Sequence, residues 1–166
     1  MGAGVRNRQV SSPTDILLAV REPGAGGSER QMVEMAKAIH GRGRFRVHAA
    51  CFREGFRNEE LRAAGVPVLD LSLHSLRRDG WRAARRFRSY LTEQHIQLVH
   101  SFDYPTSCWL TPLARWAGVP AVLTSQRAYR ELNPGFYVAF GRWSDRLAHG
   151  VVVNCEAMRR HLVVDE

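Results

Sequence analysis

The chain has 166 residues and a formal net charge of +8, with 24 Lys and Arg against 16 Asp and Glu. A length typical of one domain, 45% hydrophobic and 24% charged residues together exclude a disordered tail, a collagen-like fibre and a disulfide-stapled mini-protein. No apolar run approaches the roughly 18–20 residues of a membrane span, and the first residues lack the apolar core of a signal peptide. Cys51, Cys108 and Cys155 show no redox or metal spacing and are interpreted as small core residues of a cytoplasmic domain.

Arginine dominates the basic residues. Lys37 is the only lysine, so 23 of the 24 basic residues are arginine. A basic surface attracts phosphates of any kind, whether they belong to nucleic acid, nucleotides, anionic lipids or phosphorylated sugars. Arginine also accumulates in proteins from GC-rich genomes, so charge alone does not identify the partner. Because no nucleic-acid-binding motif is present in the sequence, we do not expect nucleic acid to be a partner.

Short apolar runs alternate along the chain with segments of helical periodicity. The first run, at 15–20, is continuous and apolar after its first residue, which is typical of a strand buried on both faces. A glycine-rich turn follows, and Ser28 is expected to cap the next helix. Strands are predicted at 15–20, 46–52, 66–71, 96–100, 121–124 and 151–154. Helices are predicted at 28–40, 58–64, 81–93, 106–117, 136–147 and 156–164.

This alternation predicts a three-layer α/β/α Rossmann-like domain with a mostly parallel sheet of about six strands. We assign the domain to residues 14–166 and expect a flexible N-terminus over 1–13. The sequence stops inside or just after a helix, without a capping Gly or Pro, so we expect it to be cut from a longer protein whose C-terminal domain is not part of this chain. In an open parallel sheet, ligands bind beyond the carboxyl ends of the strands, so the loops after the strands are the candidate site.

The loop after the first strand is rich in glycine, with Gly24, Gly26 and Gly27 ahead of Ser28 and Glu29. Glycines let backbone N–H groups approach a ligand closely, and the helix N-terminus that follows favours an anion. The spacing does not match a dinucleotide fingerprint, whose third glycine would fall at Glu29. It does not match a nucleoside-triphosphate loop either, because no Gly-Lys-Ser/Thr follows. A tight strand-to-helix turn without a ligand is the alternative.

Five segments, taken in order, resemble the retaining glycosyltransferases of family 4, which adopt the GT-B fold. They are the glycine loop at 26–29 and the segments 61–68, 98–103, 117–124 and 145–158. The resemblance implies two Rossmann-like domains facing each other across a cleft, the N-terminal one binding a sugar or lipid-linked acceptor and the C-terminal one most of the nucleotide-sugar donor. This chain would be the acceptor-binding domain, inactive alone. The implied role is glycolipid, lipopolysaccharide or exopolysaccharide synthesis, with no metal and no cofactor beyond the donor co-substrate.

The resemblance also implies a set of substrate-binding residues and leaves the catalytic residues unassigned. The candidates are Gly26, Gly27, Ser28, Glu29, His100, Asp103, Arg127 and Arg130. Two positions depart from the family's common pattern. His100-Ser-Phe102 stands where His-x-His is usual. Gln126-Arg127 stands where a histidine and an acidic residue are common, so Arg127 and Arg130 indicate an anionic acceptor such as a lipid-linked phosphate, unless they lie in a solvated loop.

Three of these candidates also have structural interpretations. His100 ends a buried strand, where a histidine more often serves as a hydrogen-bonding partner than as a catalyst. Asp103 is expected either to bind acceptor hydroxyls or to cap the helix that follows it. Glu29 lies in the first turn after the glycines, where it is expected to interact favourably with the helix dipole.

The predicted helix around 76–91 is basic and amphipathic. Trp81, Ala84, Phe87 and Leu91 are available for an apolar stripe. The arginines of this segment are Arg77, Arg78, Arg82, Arg85, Arg86 and Arg88. Such a helix either lies peripherally on anionic lipid at the inner membrane face, or packs its stripe against the sheet and leaves the arginines in water.

A different function is compatible with the same fold. The chain would then be a free-standing nucleotide- or phosphate-binding Rossmann module without transferase activity. Arg53, which follows the second predicted strand, would bind a 2′-phosphate in that case. Titration with NADP distinguishes this alternative from the transferase.

Overall fold

Six strands form the centre of the molecule in the computed structural model, which describes residues 13–129 and 135–165. The strands are β1 (Thr14–Val20), β2 (Phe45–Cys51), β3 (Val68–Asp70), β4 (Leu98–Ser101), β5 (Ala121–Gln126) and β6 (Gly150–Val153). Their order across the sheet is β3-β2-β1-β4-β5-β6, and every neighbouring pair is parallel. The predicted Rossmann-like sheet is confirmed. Of the segment predicted to be flexible, residues 1–12 lie outside the described residues.

Helices connect the strands, as the crossover between two parallel strands requires. They are α1 (Gly27–His40), α2 (Asn58–Ala63), α3 (Leu76–Glu93), α4 (Tyr104–Trp116), α5 (Gly135–Leu147) and α6 (Glu156–Arg160), with a π-helical turn over His161–Asp165. Gly118 ends α4 with a φ of 80°, a left-handed conformation that glycine adopts without strain. Within the described ranges, no helix is long and apolar enough to cross a bilayer.

β1 supplies side chains to two hydrophobic cores, one on each face of the sheet. Leu17 and Ala19 belong to the core that α3 and α4 cover. Ile16, Leu18 and Val20 belong to the core beneath α1 and α2. Successive side chains of a strand point to opposite faces, so a strand covered on both sides is apolar throughout. This double burial explains the continuous apolar run in the sequence.

A polar network joins β1, β2 and α3 near the amino-terminal edge of the sheet. Asp15 Oδ1 lies 3.0 Å from His48 Nε2, and His48 Nδ1 lies 2.8 Å from the Tyr90 hydroxyl. Arg46 Nη2 donates to Asp15 Oδ2 at 2.9 Å, and the bonds from Arg46 hold the pKa of Asp15 below its usual value. Burial lowers the pKa of His48, so its neutral form is favoured. The buried carboxylate is therefore supported by one cation and one neutral imidazole.

The buried stripe of α3 differs from the predicted one. Ala83, Phe87 and Leu91 are buried at spacings of four, whereas Trp81 is 76% exposed and Ala84 is only partly buried. Residues four apart lie on the same side of a helix, while Trp81 stands six residues before Phe87 and is rotated by about 120° from it. Trp81 therefore lies on a flank of α3 and not against the sheet.

Two other local predictions are wrong. Ser28 does not cap α1, because Gly26 occupies the N-cap position and Ser28 lies within the first turn. Cys155 is exposed, whereas Cys51 and Cys108 are buried as expected. Cys155 is the residue that precedes α6, at the end of the outermost strand β6, where little of the sheet covers it.

We expect Phe87→Ala to lower the free energy of unfolding by about 3–5 kcal/mol, because it leaves a cavity beneath α3. Trp81→Ala is the matched control, since it removes an aromatic ring from the same helix at an exposed position. Its effect should stay below about 1 kcal/mol. Urea unfolding followed by circular dichroism measures both, and equal losses would contradict the assignment of the buried stripe.

Candidate functional site

The loops that follow β1, β4 and β5 meet at one edge of the sheet, because parallel strands point their carboxyl ends in the same direction. They enclose a cleft of about 260 Å³. Its lining includes three predicted substrate-binding residues, Ser28, Asp103 and Arg127. The remaining lining residues are Phe102, Tyr104, Pro105, Ser125, Gln126 and Ala128. The cleft lies where the strand order reverses between β1 and β4, which is the usual ligand position in such sheets.

The glycine turn borders this cleft on the β1 side. The Glu29 carboxylate folds back against Gly26, and it would have to move aside if position 26 carried a side chain. Glu29 therefore sits over the positive end of its own helix, which stabilises its negative charge. Among the described residues, no atom beyond the local turn lies within 4 Å of the point where a Cβ would stand at Gly27. The backbone of Gly27 is thus open to a ligand.

His100 is buried at the end of β4, with 6% of its surface exposed. Its Nε2 lies 2.8 Å from Ser125 Oγ on β5, and its ring packs on Phe102 with the ring centres 4.3 Å apart. Burial, and to a smaller extent the positive charge of Arg127, lower the pKa of His100 to about 4. The imidazole is therefore neutral at pH 7, in agreement with the structural interpretation of this residue.

Arg127 supplies positive charge to the cleft. Its guanidinium carbon lies 4.9 Å from the centre of the Phe102 ring, which is cation–π distance. Nη1 donates to the side chain of Gln31 on α1, while Nε is buried and has no partner among the described residues. Desolvation lowers the pKa of Arg127, yet a guanidinium remains charged at pH 7. A partly buried cation with an unused donor favours an anionic ligand.

Asp103 holds the loops after β1 and β4 together. Its Oδ1 accepts from the Thr106 backbone N–H at 2.9 Å and from the Thr106 hydroxyl at 2.8 Å, so it caps α4. Its Oδ2 accepts from the Arg21 backbone N–H. Burial raises the pKa of this carboxyl, against the lowering effect of these hydrogen bonds. Both oxygens are engaged within the protein, which favours the capping role over the binding of acceptor hydroxyls.

The sequence correctly predicted that the candidate site lies at the carboxyl ends of the strands, but some residues of the site were not predicted. Arg130 lies outside the described residues. Gln31 and Ser125 were not predicted, although one contacts Arg127 and the other His100. β5 extends to Gln126, two residues beyond its predicted end, so Ser125 was taken for a loop residue. Within the described part of the chain, no group of three His, Cys, Asp or Glu side chains is placed to hold a metal ion.

A larger cavity of about 570 Å³ adjoins the cleft and shares Tyr104 and Pro105 with it. Its walls are mainly aromatic and aliphatic. The other lining residues are Arg21, Phe52, Leu73, His74, Leu76, Cys108, Trp109, Tyr137 and Phe140. The Tyr104 hydroxyl donates to the Tyr137 carbonyl, so α4 and α5 meet at this wall. A polar cleft and an apolar cavity therefore lie side by side at the same edge of the sheet.

Comparison with models of protein families gives a match to the glycosyl transferase 4-like domain over residues 26–165. The match covers most of the chain and runs from the glycine turn to the last helical turn. The chain belongs to this family. The predicted family is therefore confirmed, and the chain is a glycosyltransferase domain. No curated protein matches it in sequence.

Solved structures are similar to this glycosyltransferase domain in fold. HepE of Anabaena, in complex with UDP and glucose, has a TM-score of 0.69 at 16% identity, covering 89% of this chain and 40% of its own. A glycosyltransferase of Rickettsia africae has a TM-score of 0.68 at 20% identity, and the match covers 92% of this chain and 39% of that protein. MurG of Acinetobacter baumannii has a TM-score of 0.66 at 16% identity, and the match covers 85% of this chain and 41% of MurG. The likeness shows a Rossmann-like α/β fold that matches one domain of GT-B glycosyltransferases, and this chain spans about 40% of the length of HepE.

Phe102 and Arg127, the two residues at which the resemblance implied a departure from related glycosyltransferases, lie in contact. The guanidinium of Arg127 rests on the ring of Phe102. The aromatic ring thus supports the cation that lines the cleft.

We expect the domain to lose stability between pH 6.5 and pH 4 because of His100. The unfolded chain takes up a proton on this residue near pH 6.5, whereas the folded chain resists protonation down to about pH 4. Acidification through this window therefore favours unfolding, by about 3 kcal/mol at most. In His100→Asn this contribution should vanish, as measured by urea unfolding at pH 7 and pH 4.5. The exposed His74 gives the control His74→Asn, which should behave like the wild type. An unchanged pH dependence in His100→Asn would contradict the assignment.

Proposed function

We propose that this domain binds an anionic, lipid-linked acceptor within a nucleotide-sugar-dependent glycosyltransferase of glycolipid, lipopolysaccharide or exopolysaccharide synthesis. The nucleotide-sugar donor is held mainly by a second domain. Two facts support a two-domain enzyme of this kind: the chain spans about 40% of the length of HepE and of MurG, and HepE was solved with UDP and glucose. The observation that carries the proposal is the guanidinium of Arg127 in the cleft.

Two sources of positive potential converge on this cleft. One is the N-terminus of α1, where Gly27 is exposed and Ser28 lines the cleft; the Glu29 carboxylate lies against this turn and would have to swing aside for a phosphate to reach it. The other is Arg127, whose Nε has no partner among the described residues. A phosphate group in the cleft would accept hydrogen bonds from Arg127 and from backbone N–H groups of the turn. Both the donor's diphosphate and a lipid-linked acceptor carry such a group.

The chemical role of this site is electrostatic. When the bond between the sugar and the nucleoside diphosphate breaks, negative charge grows on the departing diphosphate. A helix N-terminus and a guanidinium that are already in position stabilise that charge more strongly in the transition state than in the ground state. The acceptor and the donor meet only when the two domains close over them. This domain alone is therefore expected to transfer no sugar.

The apolar cavity beside the cleft indicates the class of acceptor. Phe52 and Trp109 meet edge to face, with ring centres 5.6 Å apart, and form part of its wall. A cavity of about 570 Å³ with such walls favours an alkyl or isoprenoid chain over a free sugar. The adjoining polar cleft would then hold the phosphate of the same molecule. The pair of cavities fits an amphiphile with an anionic head group.

A free-standing nucleotide-binding module is the alternative function. It requires Arg53 to bind a 2′-phosphate, but Arg53 Nη2 lies 3.0 Å from Glu22 Oε2 in an exposed ion pair. An arginine that is neutralised in this way is a weaker phosphate ligand than the guanidinium of Arg127. The comparison of these two arginines therefore separates the two functions.

Arg127→Ala should weaken the binding of inorganic pyrophosphate and of UDP to this chain by about ten-fold or more, because it removes a charge-assisted hydrogen bond. Titration of the ¹⁵N-labelled chain, followed by NMR, measures the affinity and shows which amides respond. The amides of Gly26 and Gly27 should shift. Arg53→Ala is the matched control and should bind both anions as the wild type does.

Two results would overturn this assignment. Tighter binding of NADP than of pyrophosphate, lost in Arg53→Ala, would favour the free-standing module. The absence of any amide shift at millimolar pyrophosphate would remove the anion site itself.

The apolar cavity gives a separate prediction about the acceptor. The chain should bind dodecyl phosphate at least about ten-fold more tightly than butyl phosphate, because a longer chain buries more apolar surface. Leu76 lines the cavity and is 64% exposed, so Leu76→Asp should abolish this preference without unfolding the domain. Val163→Asp, at a position 71% exposed elsewhere on the surface, is the control. Equal affinities for the two phosphates in the wild type would contradict a lipid-linked acceptor.

A further inference from the structure

A groove of about 240 Å³ runs along the outer surface between α3 and α4, away from the cleft at the carboxyl edge of the sheet. We call it the tryptophan groove. Its lining residues are Trp81, Ala84, Arg85, Arg88, Leu113 and Trp116. The groove is the surface that remains after Ala83, Phe87 and Leu91 have turned inwards to cover the sheet.

The two tryptophans of the groove are unusually exposed. Trp81 is 76% and Trp116 is 68% exposed. A tryptophan combines a large apolar ring with one N–H donor, and it is most stable where one side of the ring is apolar and the other is wet. The boundary between lipid head groups and acyl chains offers such surroundings. Two exposed tryptophans in one groove therefore point to a partner with a boundary between polar and apolar regions, as a bilayer has.

Arginine surrounds the same groove. The guanidinium of Arg88 lies 5.0 Å from the centre of the Trp116 ring. Neither Arg85 nor Arg88 forms an ion pair within the described part of the chain, and the groove lining holds no carboxylate there. In contrast, Arg82 on the other flank of α3 pairs with Asp79 at 3.3 Å. The groove therefore carries positive charge that no carboxylate of the described residues neutralises.

We propose that the tryptophan groove binds the surface of a bilayer that contains anionic phospholipid. Trp81 and Trp116 insert at the head-group boundary, and Arg85 and Arg88 contact lipid phosphates. Apolar burial and electrostatic attraction act together, as in peripheral proteins that require both signals for stable attachment. The inference rests on α3 and α4 alone and does not depend on the proposed function of the cleft.

α3 offers a matched pair of charge variants for the test. Arg85 and Arg88 line the tryptophan groove, whereas Arg82 and Arg86 are exposed outside it. The double variants Arg85→Glu/Arg88→Glu and Arg82→Glu/Arg86→Glu change the net charge by the same amount. If the two double variants bind vesicles differently, the difference must come from where the charge lies, because their net charges are equal.

The experiment is sedimentation of this chain with vesicles of phosphatidylcholine that contain 30% phosphatidylglycerol, compared with vesicles of phosphatidylcholine alone. We expect binding to the anionic vesicles only. The variant Trp81→Ser/Trp116→Ser should lower the partition coefficient at least about ten-fold, and Arg85→Glu/Arg88→Glu should lower it at least about ten-fold more than Arg82→Glu/Arg86→Glu does. Phe56→Ser is the aromatic control, because Phe56 is 65% exposed and carries a stacked Arg57 outside the groove. Thermal unfolding of each variant checks that it is folded.

Three outcomes would overturn the proposal. Equal losses in the two charge variants would show that net charge alone attracts the chain to lipid. Unchanged partitioning of Trp81→Ser/Trp116→Ser would remove the groove from the contact. A dimer in solution that this tryptophan variant converts to a monomer would assign the groove to a second copy of the chain. Brominated lipid gives an independent readout, since it should quench wild-type fluorescence and quench the tryptophan variant much less.

Discussion

The pairing of β1 with β2 on one side and with β4 on the other determines which face of the sheet each helix covers and where the cleft forms. The chain moves from β1 towards one edge of the sheet and then returns to the opposite side of β1, so α1 covers one face while α3 and α4 cover the other. The loops after β1 and β4 diverge at this point and leave a crevice between them. Asp103 bridges the crevice, because it accepts from the Arg21 N–H after β1 and caps the helix after β4. The carboxylate of Asp103 therefore holds the loops after β1 and β4 in place, and these loops form one wall of the cleft.

The character of the cleft follows from three side chains in contact. The ring of Phe102 packs against the imidazole of His100, with the two planes tilted by 38°, and the guanidinium of Arg127 lies over the Phe102 ring. Burial of His100 keeps it uncharged, which avoids placing two positive groups close together. Arg127 is therefore the positively charged member of this group, and the proposed preference of the cleft for phosphate over neutral hydroxyl groups rests on it.

The fold was predictable because its signals are local, and parts of the site were not because they depend on packing. Continuous apolar runs identified β1 and β5, and the crossovers then required parallel pairing. The face of α3 could not be assigned in the same way: Trp81 and Phe87 are both large and apolar, and only the position of the sheet decides which is buried. Ser125 was missed for a related reason, since a polar residue at a strand end looks like a loop until its partner His100 is in place.

The alternation of β1 side chains between two cores also bears on how such a domain diversifies. A slip of one residue would turn Leu17 and Ala19 towards α1 and Leu18 towards α3, so both cores would receive the wrong set of volumes. An insertion within this strand that shifted its register would therefore be strongly destabilising. The turn at 25–27, which follows it, is exposed and is free of that constraint. A change in the length or sequence of such a turn can therefore alter the ligand site while the register of the central strand stays the same.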